Sequence, residues 1–531
     1  MICSFRIARI LRDDNRKADT QLYRGWFGVV AFLLLIISET SALFAGEPET
    51  ITAPDKSTTE AKKAQPKPGE ESSTVTQPLH TLLKTIEEQE EQLWQAALDI
   101  WKWAEPGYQE TKSSARLQGL LRDAEFEITP NLAEIPTAFM AEYGSGKPVI
   151  AILGEYDALP GLAQDAVPYR STENERAYGH GCGHHLFGVA SAGAAIAIAR
   201  ELKEGAIQGT IRYYGCPAEE GGSAKAFLVQ AGLFQDCDAV LHWHPSNRNA
   251  AGARSSLARI AVKFRFKGSA AHAAGAPSEG RSALDAVALT NHAAELLREH
   301  IPESARIHYV ITVGGEAPNI VPEIAEVYYY VRHPDVDVVQ KLYDRLLLCA
   351  KGGALATETK LEVLHQGGVL SLLPNLTLSD VVSKHLRKLN DLEYTEEEQL
   401  FAVKLQETLL EKQSISDIRE IYDLDGVTGN GSTDVGDVSW VVPTAGFNTA
   451  CWVPGTPAHS WQATACGGTS IARKGMLLAM KTLATSAWEL YKTPELLTSA
   501  RQEFKERTAR HGYQTLMQPD QKPPLSYRNV P

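Results

Sequence analysis

Between residues 148 and 246, short apolar strands alternate with a helix, and each strand runs out into a loop rich in glycine or charge. "PVIAILGEYDALP" reads as a buried strand entering a loop, and "LFGVASAGAAIAIARELKE" as a helix of small residues. "GTIRYYGCPAEEGG" is a strand ending in a glycine turn, and "AVLHWHP" is a further short strand. Strand–helix alternation of this kind predicts an open α/β sheet. In such a sheet the chemistry sits on loops at the carboxyl ends of the strands.

The rest of the chain is arranged around this sheet. Basic residues (Arg6, Arg9, Arg12, Arg16, Lys17, Arg24) precede an apolar run over 26–37, and small residues follow at Ser41, Ala42, Ala45 and Gly46. Twelve residues are short for a bilayer core of about 30 Å, so 1–45 reads as a signal peptide, with an uncleaved membrane anchor as the alternative. A secreted or periplasmic protein is expected. Residues 46–78 carry five prolines and no aromatic residue and read as a flexible linker. The catalytic domain is expected over 79–256 and 373–490. It opens on an amphipathic helix with Leu83, Ile86, Leu93, Ala97 and Ile100 at helical spacing. Over 257–372 the strands "LARIAVKFRFKG" and "AEVYYYVRHP" have one exposed face each, and helices follow at 282–300 and 336–349. This predicts a separate α+β insert. A last catalytic-domain helix is expected over 471–490, then a C-terminal helix and tail over 491–531.

A net charge of −13 leaves no basic surplus for a polyanion, which argues against a nucleic-acid partner. Seven scattered cysteines do not make a disulfide framework, so free, buried or metal-bound thiols are expected.

Four loops carry metal-binding residue types. In "GHGCGHHLFG", Cys182 and His184 stand two apart, and a thiolate with an imidazole suits a borderline-soft ion such as zinc. His180 and His185 are nearby spares. "PAEEGG" sets Glu219 beside Glu220, so that one can hold a metal while the other reaches an attacking water. "HWHP" offers His242 and His244, and "PGTPAHSWQ" offers His459. Any one of these could be a solvated turn or a structural histidine. Several at strand ends in one chain are hard to ascribe to chance.

In order along the chain, "GEYDALPGL", "GHGCGHHLFG", "PAEEGG", "HWHP", "GSAAHAAGAP", "APNIVPE" and "GSTDVGDVSW" resemble the aminoacylase/carboxypeptidase family of two-metal peptidases. The likeness runs from about residue 80 to 490 and is strongest to an amidohydrolase branch that includes aminobenzoyl-glutamate hydrolases and β-alanyl-lysine-type dipeptidases. It implies an α/β, two-metal exopeptidase-type catalytic domain whose insert is a dimerisation or lid domain. It also implies hydrolysis of a small acyl-amino acid, p-aminobenzoyl-glutamate-like or dipeptide amide. A general dipeptidase or N-acyl amino acid deacylase is the alternative, and a non-enzymatic metal-binding protein the remote one. Cys182, His184, Glu220, His244 and His459 match the ligands of two divalent metal ions, Zn2+ or alternatively Mn2+. His242 is the second choice at its position. Glu219 matches the general base, and Asp157 the aspartate that orients a ligand. Glu155 stands where carboxypeptidase-like relatives have a metal histidine, which leaves that ligand set open. His272 matches a histidine that acts across a homodimer on the oxyanion, and Asn319 and Arg332 match polar residues facing the substrate. A homologous second subunit is a further possible partner.

Overall fold

The computed structural model describes residues 77–171 and 177–528. The expected leader over 1–45, and the expected linker up to residue 76, lie outside the described residues. The first helix, α1 (Gln77–Trp103), begins within the stretch read as linker. It buries Leu82, Ile86, Leu93, Ala97 and Ile100, while Leu83 is only half-buried. Helix α2 (Thr111–Asp123) follows.

Six strands of a large sheet come next, apart from a two-residue pair at Leu159–Pro160 and Tyr178–Gly179: β1 (Glu127–Pro130), β2 (Phe139–Ser145), β3 (Val149–Gly154), β4 (Gly209–Gly215), β5 (Ala239–Ser246) and β6 (Asn249–Ala251). Four more form a second sheet: β7 (Ala258–Lys267), β8 (Arg306–Val313), β9 (Ile324–His333) and β10 (Lys360–Val369). The chain then returns to the first sheet with β11 (Ile421–Asp423) and β12 (Thr444–Ala450).

The large sheet has the order β1-β2-β4-β3-β5-β12-β6-β11. Its centre, β4-β3-β5-β12, is parallel throughout. All six residues of β3 are buried, as an apolar strand covered on both faces requires. Helix α3 (His184–Lys203) crosses β3, β4 and β5 and is buried along most of its length. It is long and apolar enough to cross a membrane, but here it is a core helix. Its small residues let neighbours come close. A Cβ on Gly193 would lie 2.6 Å from Met480 Sδ and 2.8 Å from Leu93 Cδ1, on the two helices packed against it.

The second sheet, β8-β9-β7-β10, is antiparallel throughout. Two helices (Ala283–Leu297 and Val336–Ala356) pack on it around a core of its own that includes Phe264, Phe266, Tyr329 and Leu346. The sequence pattern does not reveal β8 or β10. In β8, Tyr309, Val310 and Ile311 are all exposed, so no alternation of burial marks the strand; β10 is half-buried along most of its length.

The last long helix of the large-sheet layer (Ser470–Lys492) is followed by another, Pro494–Thr508. The stretch read as a tail does not hang free. Tyr513 Oη donates to Asp437 Oδ1 at 2.9 Å, a Cβ on Gly368 would lie 2.6 Å from Leu516 Cβ, and Lys522 pairs with Glu134 at 2.7 Å. The chain thereby runs as a strap back to the large sheet.

Candidate metal centre

The four central parallel strands end on one side of the sheet, and the loops that follow them carry the candidate residues. Glu155 and Asp157 follow β3, Glu219 and Glu220 follow β4, His244 closes β5, and His459 lies beyond β12. Gly183, in the left-handed region at φ 79°, starts α3 so that His184 is its first residue. Ala218, Ser223 and His459 also have positive φ values of 52°, 57° and 56°. For non-glycine residues this costs on the order of 1–3 kcal/mol each, which the surrounding packing must offset.

The ligand atoms form three triads, each within 4.8 Å of one another: Cys182, His184 and His244; Cys182, Glu220 and His459; and Glu155, His184 and Glu219. Cys182 Sγ lies 3.4 Å from His244 Nε2, and His459 Nε2 lies 3.1 Å from Glu220 Oε1. Cys182 is common to the first two triads and His184 to the first and third; burial pushes the Cys182 thiol up, so a cation held there would have to displace its proton. His244 and His242 point to the same face of β5 and both line the cavity, but only His244 belongs to a triad. His242 lies one pleat back, under Gly446 of β12.

Asp157 orients two of these groups. Its Oδ1 accepts from His184 Nδ1 at 2.8 Å and its Oδ2 accepts from the Glu220 amide at 3.0 Å. The imidazole is thus turned to present Nε2 forward, the usual carboxylate–histidine support of a metal ligand. The forward atoms meet mainly one another: His184 Nε2 lies 3.1 Å from Glu155 Oε2 and Glu220 Oε1 3.1 Å from His459 Nε2, in directions that leave His184 Nε2, Glu155 Oε2 and Glu220 Oε1 buried without a well-formed hydrogen bond. Buried polar atoms left this way are costly, and converging as they do they fit divalent cations.

The electrostatics agree. Burial would lower the pKa of His459, but the neighbouring Cys182 and Glu220 raise it to about 11. Burial would raise Glu220, but the adjacent His459 imidazole holds it down to about 2. Such a site keeps positive charge close, and cation binding would displace those protons. His244 is pushed down to about 3, mainly by burial, which leaves it neutral as a metal ligand must be. Burial, then the Glu155 and Glu220 charges, push the Glu219 carboxyl well above the ordinary range, as suits a general base. Glu155 is tied elsewhere: Lys225 Nζ lies 2.6 Å from its Oε1 and 2.6 Å from Asp434 Oδ1, all three buried.

A cavity of about 750 Å³ opens in front of these groups, lined by Arg332 among others. His272 and Asn319 do not line it. They sit together at an exposed tip of the second sheet, where the Asn319 carbonyl accepts from the Ala273 amide at 3.0 Å. His180 and His185 are buried but belong to no triad. His185 donates to the Gly467 carbonyl at 3.0 Å and is held neutral by burial, at about 3.

The sequence pattern assigns no role to Lys225 or Asp434, nor to Arg254, Arg259, Tyr330 and Arg528 of the cavity wall. Asp434 does stand in the quoted "GSTDVGDVSW". Lys225 follows the glutamate turn in an otherwise apolar stretch, the one signal that it is buried and paired.

The pattern of peptidase family M20/M25/M40 matches residues 151–463. The chain is 42% identical over 458 residues to the B component of p-aminobenzoyl-glutamate hydrolase from Escherichia coli, covering 81% of this chain and 95% of that protein. It is 31% identical over 436 residues to the Xaa-Arg dipeptidase of Mus musculus, covering 79% and 90%. Among solved structures, a dinuclear metal binding peptidase from Bacillus subtilis superposes with a TM-score of 0.52 at 17% identity, over 77% of this chain and 99% of that one. That likeness is one of fold.

Proposed function

Because the chain belongs to peptidase family M20/M25/M40 and is a metal-dependent amidohydrolase, we propose that it cleaves the amide of a small N-acyl amino acid whose amino-acid half is acidic, of the p-aminobenzoyl-glutamate kind. The observation that carries this choice is the cavity wall: four arginines, Arg254, Arg259, Arg332 and Arg528, line it beside the triads. Their field favours a carboxylate-bearing leaving group. A dipeptide ending in arginine, such as the second relative's name describes, would meet like charge there.

Cys182, His184 and His244 would hold one ion and Cys182, Glu220 and His459 the other, zinc in the first instance and manganese as the alternative. Bound divalent ions supply Lewis acidity, lowering the pKa of water and polarising the amide carbonyl. Glu219 takes the proton of the attacking water and passes it to the leaving nitrogen. Asp157 keeps His184 and the Glu220 loop in place. Arg332 binds the substrate. The reading further includes export by the leader, and a homodimer through the exposed edge β8 in which His272 and Asn319 reach the neighbour's site. A homologous second polypeptide, as the relative's A and B naming describes, is the alternative partner.

The test is to strip the protein with chelator, restore it with zinc or manganese, and assay p-aminobenzoyl-glutamate, a β-alanyl dipeptide, an Xaa-Arg dipeptide and an N-acetyl amino acid. Metal-dependent turnover with the glutamate conjugate preferred is expected. Preference for the Xaa-Arg dipeptide would overturn the substrate choice, and no metal-restored turnover of any amide would overturn the reading itself.

A further inference from the structure

Among the described residues, none of the four cavity arginines forms an ion pair with a carboxylate, whereas Arg116, Arg212, Arg265, Arg281 and Arg473, with others, each have one. The Nε atoms of Arg259, Arg332 and Arg528 are buried without a hydrogen-bond partner. Arg259 is only 6% exposed. In a chain with 65 acidic and 52 basic residues, carboxylates are in surplus, so one buried and three half-buried guanidinium groups without one mark a place where an anion arrives from outside. Two of them share a ring: the Arg259 and Arg332 guanidinium carbons lie 4.7 Å and 5.3 Å from the centroid of Tyr330.

Arg528 comes from the strap, more than 60 residues beyond the end of the matched family pattern. One Nη donates to the Glu220 carbonyl at 2.6 Å, and the guanidinium lies 4.9 Å from the Tyr527 ring centroid. Tyr527 is itself held: its ring meets Tyr108 edge-on at 5.7 Å, and a Cβ on Gly107 would collide with its hydroxyl. Gly221 fits between, since a Cβ there would lie 3.2 Å from both Tyr330 Oη and the Tyr527 ring. The end of the strap therefore rests on the loop that carries Glu219 and Glu220, beside the ring shared by Arg259 and Arg332. With one Nη of Arg528 bonded to the Glu220 carbonyl, its Nε–H stays unpaired in a side chain that lines the cavity.

We propose that Arg528 is a specificity-determining residue that completes, with Arg259 and Arg332, a subsite for the two carboxylates of a dicarboxylic amino acid, so that the C-terminal strap is part of the substrate site. The identity of the bound species rests on the amide-hydrolase reading; the subsite does not. Planar guanidinium groups pair carboxylates through two hydrogen bonds, and one group cannot serve two carboxylates at once.

Kinetics on the full-length, metal-loaded protein test this, with p-aminobenzoyl-L-glutamate and p-aminobenzoyl-L-alanine as probes and calorimetric titration of L-glutamate as a measurement free of turnover. Arg528→Ala should raise KM for the glutamate conjugate by about 10- to 100-fold, the loss expected for a hydrogen bond to a charged group. kcat should change by no more than about threefold, as for an interaction made equally in ground and transition states. The preference for glutamate over alanine should fall in step, L-glutamate should bind correspondingly more weakly, and bound metal should be unchanged. Arg528→Lys should recover part of the loss, and Arg510→Ala, an exposed cation on the same strap, should behave as wild type. Unchanged KM and unchanged L-glutamate affinity in Arg528→Ala would overturn the proposal. So would an equal loss on both conjugates that Arg528→Lys does not relieve, since that marks a role in holding the strap alone. If the wild type hydrolyses neither conjugate yet binds L-glutamate through Arg528, the hydrolase reading fails and the subsite stands.

Discussion

Asp157 shows how little sequence is needed to set a candidate metal site and how much geometry. One carboxylate receives both the His184 imidazole and the Glu220 amide, fixing ligands from two loops together. The adjacent glutamates then divide: Glu220 points at His459, and Glu219 joins Glu155 and His184. Metal content should separate the roles. Glu219→Gln and His242→Ala should keep their metal, whereas Glu220→Gln and His244→Ala should lose it. Glu219→Gln should in addition lower kcat by about 10² to 10⁴. Metal analysis and steady-state rates check this, and metal loss from Glu219→Gln with retention in Glu220→Gln would reverse the two assignments. The candidate ligands are legible in sequence because few residue types can bind such ions and glycine-rich turns flag them. Arg259, Lys225 and Asp434 were not, because an arginine or lysine is spelled the same whether solvated or buried. Only the fold reveals that Lys225 lies between two carboxylates and that Arg259 has none.

At the level of elements, β3 and α3 were readable because each is apolar on every side, which only a covered central position allows. The edge β8 and half-buried β10 were not, since neither shows the alternation of a strand with one buried face. The helix pair Leu376–Leu389 and Ser470–Lys492 is joined by charge that no single-helix pattern predicts. Glu489 lies 2.5 Å from His385 Nε2 and 2.7 Å from Lys384 Nζ. The hydrogen bond from His385 holds its carboxyl down to about 2 against burial, with Lys384 adding to the effect. A carboxyl whose folded pKa lies below its unfolded value stabilises the fold above the unfolded pKa. That stabilisation is lost as pH falls through the folded one. The window here runs from about pH 4.3 down to about 2, and solvent screening of this partly exposed carboxyl reduces its contribution to about 1–2 kcal/mol. Glu489→Gln should unfold at lower denaturant at neutral pH and show a shallower loss of stability across that window. Parallel pH profiles for the two proteins would place the acid sensitivity at another group.

For the whole molecule, the large sheet gathers the loops with the candidate metal ligands, the second sheet holds Arg259, Tyr330 and Arg332 against the cavity, and the strap returns with Arg528. One matched histidine is left outside this arrangement. His272 is exposed, and its Nδ1 accepts from the amides of Ala274 and Gly275 at 3.2 Å and 3.1 Å, which fixes the ring at the tip without bringing it to the cavity of its own chain. The second sheet ends on β8, whose Tyr309, Val310 and Ile311 are 39%, 56% and 44% exposed, an apolar edge suited to pairing with another copy. If that pairing forms, the tip of one chain can serve the metals of the other. Two inactive proteins should then complement each other. His272→Ala should bind metal, form dimers and lose about 10²- to 10³-fold in kcat, the cost of one oxyanion donor. Mixed in equal amounts with Glu219→Gln and allowed to exchange protomers, it should regain activity. In a mixed dimer one site combines an intact Glu219 with an intact His272 from the other chain, and the opposite site has neither. Random assortment makes half the dimers mixed, so the rate per site should approach about a quarter of wild type for a two-fold symmetric pair. No recovery after protomer exchange has been verified would show that His272 does not act across a dimer, and the edge β8 would then need another explanation for its exposed apolar residues.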